Sequence, residues 1–179
     1  MVAARPFREM KKVIVIGSGG AGKSTFSKRL GKVLSIDVIH LDLLYWKPNW
    51  VKTPAEEWSK VVEKIVSRDS WIIDGNFGGT RELRIRASDS VIFLDIPRRV
   101  CLYRLLKRFV LHRGRNRPDM TVGCNERFDM EFLQWVWNYP KISKPRIMRR
   151  LGELTDKQTV VLRSSRQAEE FLSTIDLSH

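Results

Sequence analysis

One stretch of nine residues, Gly17-Ser18-Gly19-Gly20-Ala21-Gly22-Lys23-Ser24-Thr25, holds the groups that can grip a phosphate chain. Its glycines let successive backbone N–H groups turn inward around phosphate oxygens, and a helix opening at the end of the stretch aims its positive pole at the same point. In the spacing Gly17-x-x-x-x-Gly22-Lys23-Ser24, the lysine reaches the β- and γ-phosphates and the serine hydroxyl is a ligand for Mg²⁺. ATP and Mg²⁺ are the expected cofactors. All nine residues, Gly17 to Thr25, are expected at the nucleotide.

Three aspartates end three apolar runs: Asp42 after Val38–Leu41, Asp74 after Trp71–Ile73, and Asp95 after Val91–Leu94. Strand ends line the ligand crevice of an open α/β sheet, so all three can project towards a bound nucleotide. One of them is expected on Mg²⁺ and another at the proton of the attacking hydroxyl, whereas a turn or cap role is the plain alternative for each. From Arg98 to Arg117 eight of twenty residues are Lys or Arg and none is acidic. Arg104, Arg108, Arg113, Arg115 and Arg117 are expected to close around transferring phosphates, where water exclusion strengthens each charge. A solvated basic face is the bland reading. Trp46 and Trp50 lie in the loop after Asp42, where an acceptor would sit and an indole can stack on it.

The elements that must position these groups alternate along the chain. Val13–Ile16 reads as a buried strand running into the glycine stretch, and Phe26, Leu30, Val33 and Leu34 recur on one face of the following helix. Thr53-Pro54-Ala55-Glu56 predicts a capped helix over about 54–67, carrying Trp58, Val61, Val62 and Ile65 inward. Tyr45–Lys52 and Phe77–Arg86 read as connectors. A helix after Pro97 turns Leu102, Leu105, Leu106 and Phe109 inward, and 112–126 reads as a lid region. Two further helices are predicted, one around Phe128, Phe132, Trp135 and Val136 and a basic one near 145–154. Thr159–Leu162 is the last strand, and Ser164-Ser165 caps a closing helix. Trp58, Trp71, Trp135 and Trp137 are expected in the core. The pattern predicts an α/β fold with a mostly parallel sheet covered on both faces.

The chain has 179 residues with 33 Lys+Arg against 20 Asp+Glu, a net charge of +13, and 42% hydrophobic residues. This fits a single domain over 1–179 and excludes general disorder. No apolar run approaches a membrane span, and Met1–Lys12 lacks the apolar centre of a secretory signal, so a cytoplasmic location is expected. Cys101 and Cys124 lack metal-site spacing and are expected as free thiols. The basic balance also admits a nucleic-acid partner.

The glycine stretch is a full Walker A pattern, and the chain resembles the adenylate kinase-like branch of P-loop proteins. It is more closely similar to the bacterial topology modulation protein group. That second likeness spans nearly the whole chain. It includes His40-Leu41-Asp42, Tyr45-Trp46-Lys47-Pro48, Trp71-Ile72-Ile73-Asp74-Gly75-Asn76, Arg115-Asn116-Arg117-Pro118-Asp119-Met120 and Glu126-Arg127-Phe128-Asp129. The resemblance implies a three-layer α/β/α P-loop fold, a five-stranded parallel sheet in the order 2-3-1-4-5 and a short arginine-rich lid.

It also implies roles. Asp74, with Ser24, would manage Mg²⁺. Arg104 would lie near the adenine and Arg108 near the phosphates, while Arg115 and Arg117 belong to the lid. Asp42, followed by Tyr45, resembles the acceptor-side aspartate of uridine kinase-like proteins. Asn76–Arg81 stands where adenylate kinases carry a Phe-Pro-Arg-Thr string, and Arg81 is the residue that substitutes for its arginine. The implied function is a Mg²⁺-dependent kinase acting on a small-molecule acceptor. The alternative is a nucleotide-binding, DNA-associated regulator of topology without turnover.

Overall fold

The computed structural model describes residues 10–112, 121–125 and 128–177. Arg113, Arg115 and Arg117, with most of the expected lid, lie outside the described residues.

Each apolar run of the sequence forms a strand, and each is followed by at least one helix. Strand β1 (Lys12–Gly17) leads through the glycine loop into α1 (Lys23–Leu34). Strand β2 (Val38–His40) leads into the short α2 (Leu41–Tyr45), and a hairpin of β3 (Trp46–Lys47) and β4 (Val51–Lys52) precedes α3 (Ala55–Val66). Strand β5 (Trp71–Asp74) is followed by α4 (Arg81–Ala87), and β6 (Ser90–Leu94) by α5 (Arg98–His112). Helix α6 (Met130–Gly152), β7 (Gln158–Leu162) and α7 (Ser165–Asp176) complete the described chain.

The main sheet has five strands in the order β2-β5-β1-β6-β7, with every neighbouring pair parallel. Counting only its own strands along the chain, the order is 2-3-1-4-5, as the resemblance implies. Alternating side chains feed two cores. Val13, Val15, Ile72, Ile92 and Leu94 pack towards Phe26 and Leu30 of α1, Leu105 of α5 and Phe171, Leu172 and Ile175 of α7. Ile14, Ile16, Ile73, Val91 and Phe93 pack towards Trp58 and Val62 of α3, Ile85 of α4 and Ile147 and Leu151 of α6. Each such buried side chain is worth about 1.5–3 kcal/mol of transfer free energy. The result is the predicted three-layer α/β/α arrangement, which sets the C-terminal ends of β2, β5, β1 and β6 side by side.

Helix α6 joins the two layers, giving Val136 to the first core and Tyr139 to the second. It is one helix where two are predicted from sequence, because Pro140 and Pro145 lie inside it. An internal proline removes a ladder bond and usually stops a helix. Arg98 of α5 donates from Nη1 to the Trp137 carbonyl at 3.3 Å and lies 3.9 Å over the Trp137 ring, a contact between α5 and this part of α6.

Other expectations also change. The connector after Phe77 contains helix α4, and Tyr45–Lys52 contains the hairpin. Thr53 does not cap α3, because its amide and hydroxyl both donate to the Tyr45 carbonyl, at 3.0 and 2.6 Å, and close the hairpin instead. Ser164 does cap α7 by accepting from the Gln167 amide. Trp58 and Trp71 are core residues, but Trp135, Trp137 and Leu106 are exposed at 37%, 45% and 46%. Trp135 instead stacks on half-buried Phe132 and meets the buried Tyr139 ring edge-on.

Candidate functional site

The glycine loop leaves β1 at Gly17 and enters α1 at Lys23. Gly20 at φ 75° and Gly22 at φ 90° take left-handed conformations that glycine adopts without a Cβ clash. Ala21 donates its amide to the Ser18 carbonyl at 3.2 Å, and Lys23 Nζ donates to the same oxygen at 3.0 Å, so the ammonium folds across the loop. Ser24 and Thr25 follow in the first turn of α1, Ser24 half-buried and Thr25 exposed.

Two glycines are demanded by the loop's outer wall rather than by phosphate. A Cβ on Gly20 would stand 2.4 Å from the Cys101 carbonyl of α5, and one on Gly19 would stand 2.4 Å from Phe132 Cζ of α6. A Cβ on Gly22 would meet only Arg104 Nη1, at 3.5 Å. Arg104 itself donates to the Ala21 carbonyl at 3.4 Å and to Ser165 Oγ at 2.7 Å, which stations its guanidinium at the junction of loop and helix. Arg108, one turn further along α5, is half-buried.

Register places Asp74 opposite Val15 of β1 and His40 of β2. The Asp74 carboxylate is 4% exposed, and its Oδ2 pairs with His40 Nδ1 at 2.8 Å. Asp42 lies in the first turn of α2, two residues past β2, and is half-buried. Asp95 takes a different role from its two counterparts. Its carboxylate meets Lys144 of α6 at 2.7 Å and Arg163 at 3.9 Å, so it ties α6 and the end of β7 to the sheet.

Three residues outside the expected set organise this edge. Asn76 Nδ2 donates to the Gly17 carbonyl at 2.7 Å while its Oδ1 accepts from the Gly17 amide at 3.2 Å, clamping the loop to β5. Arg84 is fully buried and donates only to main-chain carbonyls. His40 is the third. Asn76 and His40 both stand in the strings that carry the resemblance, but a string does not show which partner a side chain finds. Arg84 gave no signal, since its surroundings read as a loop.

The hairpin borders the same edge. Tyr45 packs between Trp46, Trp58 and Phe77 with ring centroids 4.6–5.1 Å apart, and Trp46 meets Trp50 edge-on at 5.4 Å. Trp46 is therefore half-committed to the hairpin's own packing. Arg81 opens α4, and its Nε is buried with no partner among the described residues. The hairpin and α2 are tied to residues 121–125: Asn49 donates its amide to the Gly123 carbonyl at 3.2 Å, Thr121 Oγ1 to the Leu43 carbonyl of α2 at 3.0 Å and Cys124 Sγ to the Lys47 carbonyl at 3.3 Å. Both cysteines are buried and free, and burial pushes the Cys101 thiol up.

The donor set suits Mg²⁺. Among the described residues there is no cluster of three His, Cys, Asp or Glu of the kind that cages a metal. Mg²⁺ does not need one, because it keeps waters and phosphate oxygens and takes one or two hard oxygens from protein. The Ser24 hydroxyl and the buried Asp74 carboxylate, whose Oδ2 is held by His40, are such oxygens.

No family model and no curated protein matches this chain. Solved structures do. A shikimate kinase from Bacteroides thetaiotaomicron is 17% identical, with TM-score 0.58, over 94% of this chain and 98% of that one. A shikimate kinase from Acinetobacter baumannii, in complex with shikimate, is 17% identical, with TM-score 0.60, over 93% of this chain and 90% of that one. A gluconokinase from Sinorhizobium meliloti is 15% identical, with TM-score 0.54, over 96% and 97%. At these identities the likeness shows the fold, which this chain shares along nearly its whole length.

Proposed function

We propose that the chain is an ATP- and Mg²⁺-dependent kinase that transfers the γ-phosphoryl group to a hydroxyl or phosphate of a compact small molecule. The observation that carries this reading is the loop itself, with Lys23 Nζ across it at 3.0 Å from the Ser18 carbonyl, Asp74 at the end of β5 and Asp42 in the first turn of α2. The shared fold adds support, because solved structures that have it include two shikimate kinases and a gluconokinase. The similarity of its strings to the topology modulation protein group is read as kinship among such kinases.

In this reading the amides of Gly17–Thr25 and the Lys23 ammonium bind the β- and γ-phosphates, offsetting charge that spreads over the equatorial oxygens in the transition state. Ser24 and Asp74 would hold Mg²⁺, which supplies neutralisation of the phosphate oxygens when bound. Asp42 orients the acceptor hydroxyl and takes its proton as that oxygen attacks the γ-phosphorus in line. The bond to the β–γ bridging oxygen breaks and ADP leaves. Arg104 and Arg108, with Arg115 and Arg117 of the lid, close over the phosphates and exclude water. Trp46 and Arg81 border the acceptor. His40 steadies Asp74 and does not touch substrate.

The test is ADP release measured over a panel of nucleosides, nucleoside monophosphates and small hydroxy acids. Stimulation by one acceptor class, lost in Lys23→Ala, is expected. ATP binding with no acceptor-dependent release across the panel would leave a nucleotide-binding scaffold and remove the kinase reading.

A further inference from the structure

Among the described residues Arg84 is the only Lys or Arg that is fully buried. Its Nη1 donates to the Gly75 carbonyl at 2.9 Å, its Nη2 to the carbonyls of Asn76 and Phe77 at 2.8 and 2.9 Å, and its Nε to that of Thr80 at 3.3 Å. No carboxylate among the described residues pairs with it. Burial first, and then repulsion from Arg81, pushes its pKa down to about 9, so it is still charged at neutral pH. An unpaired charge in the interior is costly, and a helix facing a sheet would ordinarily carry an apolar residue here.

The geometry of the turn explains the residue. Gly75, Asn76 and Phe77 are consecutive, and their three carbonyls converge on one planar fork, which a point-charge ammonium cannot match. Fixing the carbonyls on either side of the Asn76 Cα fixes where its side chain starts. That side chain makes the reciprocal pair of bonds to Gly17, the first residue of the phosphate loop. We infer that Arg84 is a positioning residue for the phosphate loop, acting through the Gly75–Phe77 backbone and the Asn76–Gly17 clamp. It sets the loop's starting geometry from the opposite layer of the fold and touches neither nucleotide nor acceptor.

The test uses Arg84→Lys, which keeps the charge and removes the fork, and Asn76→Ala, which keeps every main-chain carbonyl that Arg84 holds. Two readouts separate positioning from bulk stability. Hydrogen exchange at the Gly17 amide is expected to quicken by about five- to tenfold in Arg84→Lys, the effect of about one hydrogen bond, while the Val91 amide in the middle of β6 exchanges at the parental rate. MgATP affinity is expected to fall by a similar factor in each single variant, and by no more than that in the double variant, because both changes cut one chain of contacts. Should Arg84→Lys not fold, Arg84→Gln, which removes the buried charge and the fork and keeps an amide donor, takes its place with the same expectations. Parental exchange at Gly17, or losses of affinity that add fully in the double variant, would overturn the assignment. The nucleotide readout rests on the kinase reading and the exchange readout does not: a parent that binds no MgATP removes that reading, and Gly17 exchange still decides the role of Arg84.

Discussion

His40 Nδ1 and Asp74 Oδ2 stand 2.8 Å apart at the paired ends of β2 and β5, both nearly buried. A carboxylate in that position needs a partner whether or not a metal is bound. Replacing His40 by Ala should destabilise the fold by about 1–3 kcal/mol through the partner left unpaired, measured by urea unfolding. The same variant should need more Mg²⁺ for nucleotide binding, measured by Mg²⁺ titration at fixed ATP. Parental values in both assays would mean that the pair does not hold Asp74 in place.

The glycines of the loop make a separable prediction. Gly20→Ala puts a Cβ on a left-handed residue and against main chain, so a loss of about 3 kcal/mol or more, or failure to fold, is expected by thermal denaturation. Gly19→Ala instead meets side-chain atoms, the tip of the Phe132 ring first and Val136 Cγ2 next, at 3.1 Å. Its cost should shrink when Phe132→Ala is added, and strictly additive losses would show that the two are not in contact.

Asp42→Asn keeps the shape of the side chain and removes its capacity to take a proton. Turnover should fall by about 10²- to 10⁴-fold with MgATP affinity within about twofold of the parent, as expected of a general base. Equal losses in both would instead make Asp42 a binding residue for the nucleotide.

The thiols should be inert in the native protein. Cys101 and Cys124 are buried, their Sγ atoms donate to the carbonyls of Ile96 and Lys47, and burial pushes the Cys101 thiol above its usual range. A thiol reagent at pH 8 should modify both only after denaturation. Rapid labelling of the folded protein would show that one of the two segments opens readily.

Much of this molecule can be read from one chain because its strands are wholly apolar, bounded by glycine and aspartate, and spaced by helical periods. Val13–Ile16, Trp71–Ile73 and Val91–Leu94 read as buried strands and pair as such, in the order that the resemblance implies. What escaped depends on partners distant in sequence. Helix α4 is seven residues long behind Gly78-Gly79, too short to show a period. Helix α6 runs through Pro140 and Pro145 as one element where the sequence reads as two. Asp95 looks like Asp74 in sequence, but its partners are Lys144 and Arg163 where Asp74 has His40. Trp135 and Trp137 match an apolar pattern, yet both lie open to water on α6 while Val136 and Tyr139 face inward.

Calorimetric titration of MgATP into the parent and into Lys23→Ala tests the central claim most directly. The Lys23 ammonium bonds to the Ser18 carbonyl of its own loop, so the variant should keep the parental melting temperature to within a few degrees. The parent should show saturable binding of one nucleotide per chain, and the variant should lose it. No binding heat in the parent, or parental binding in Lys23→Ala, would contradict a phosphate chain held in this loop.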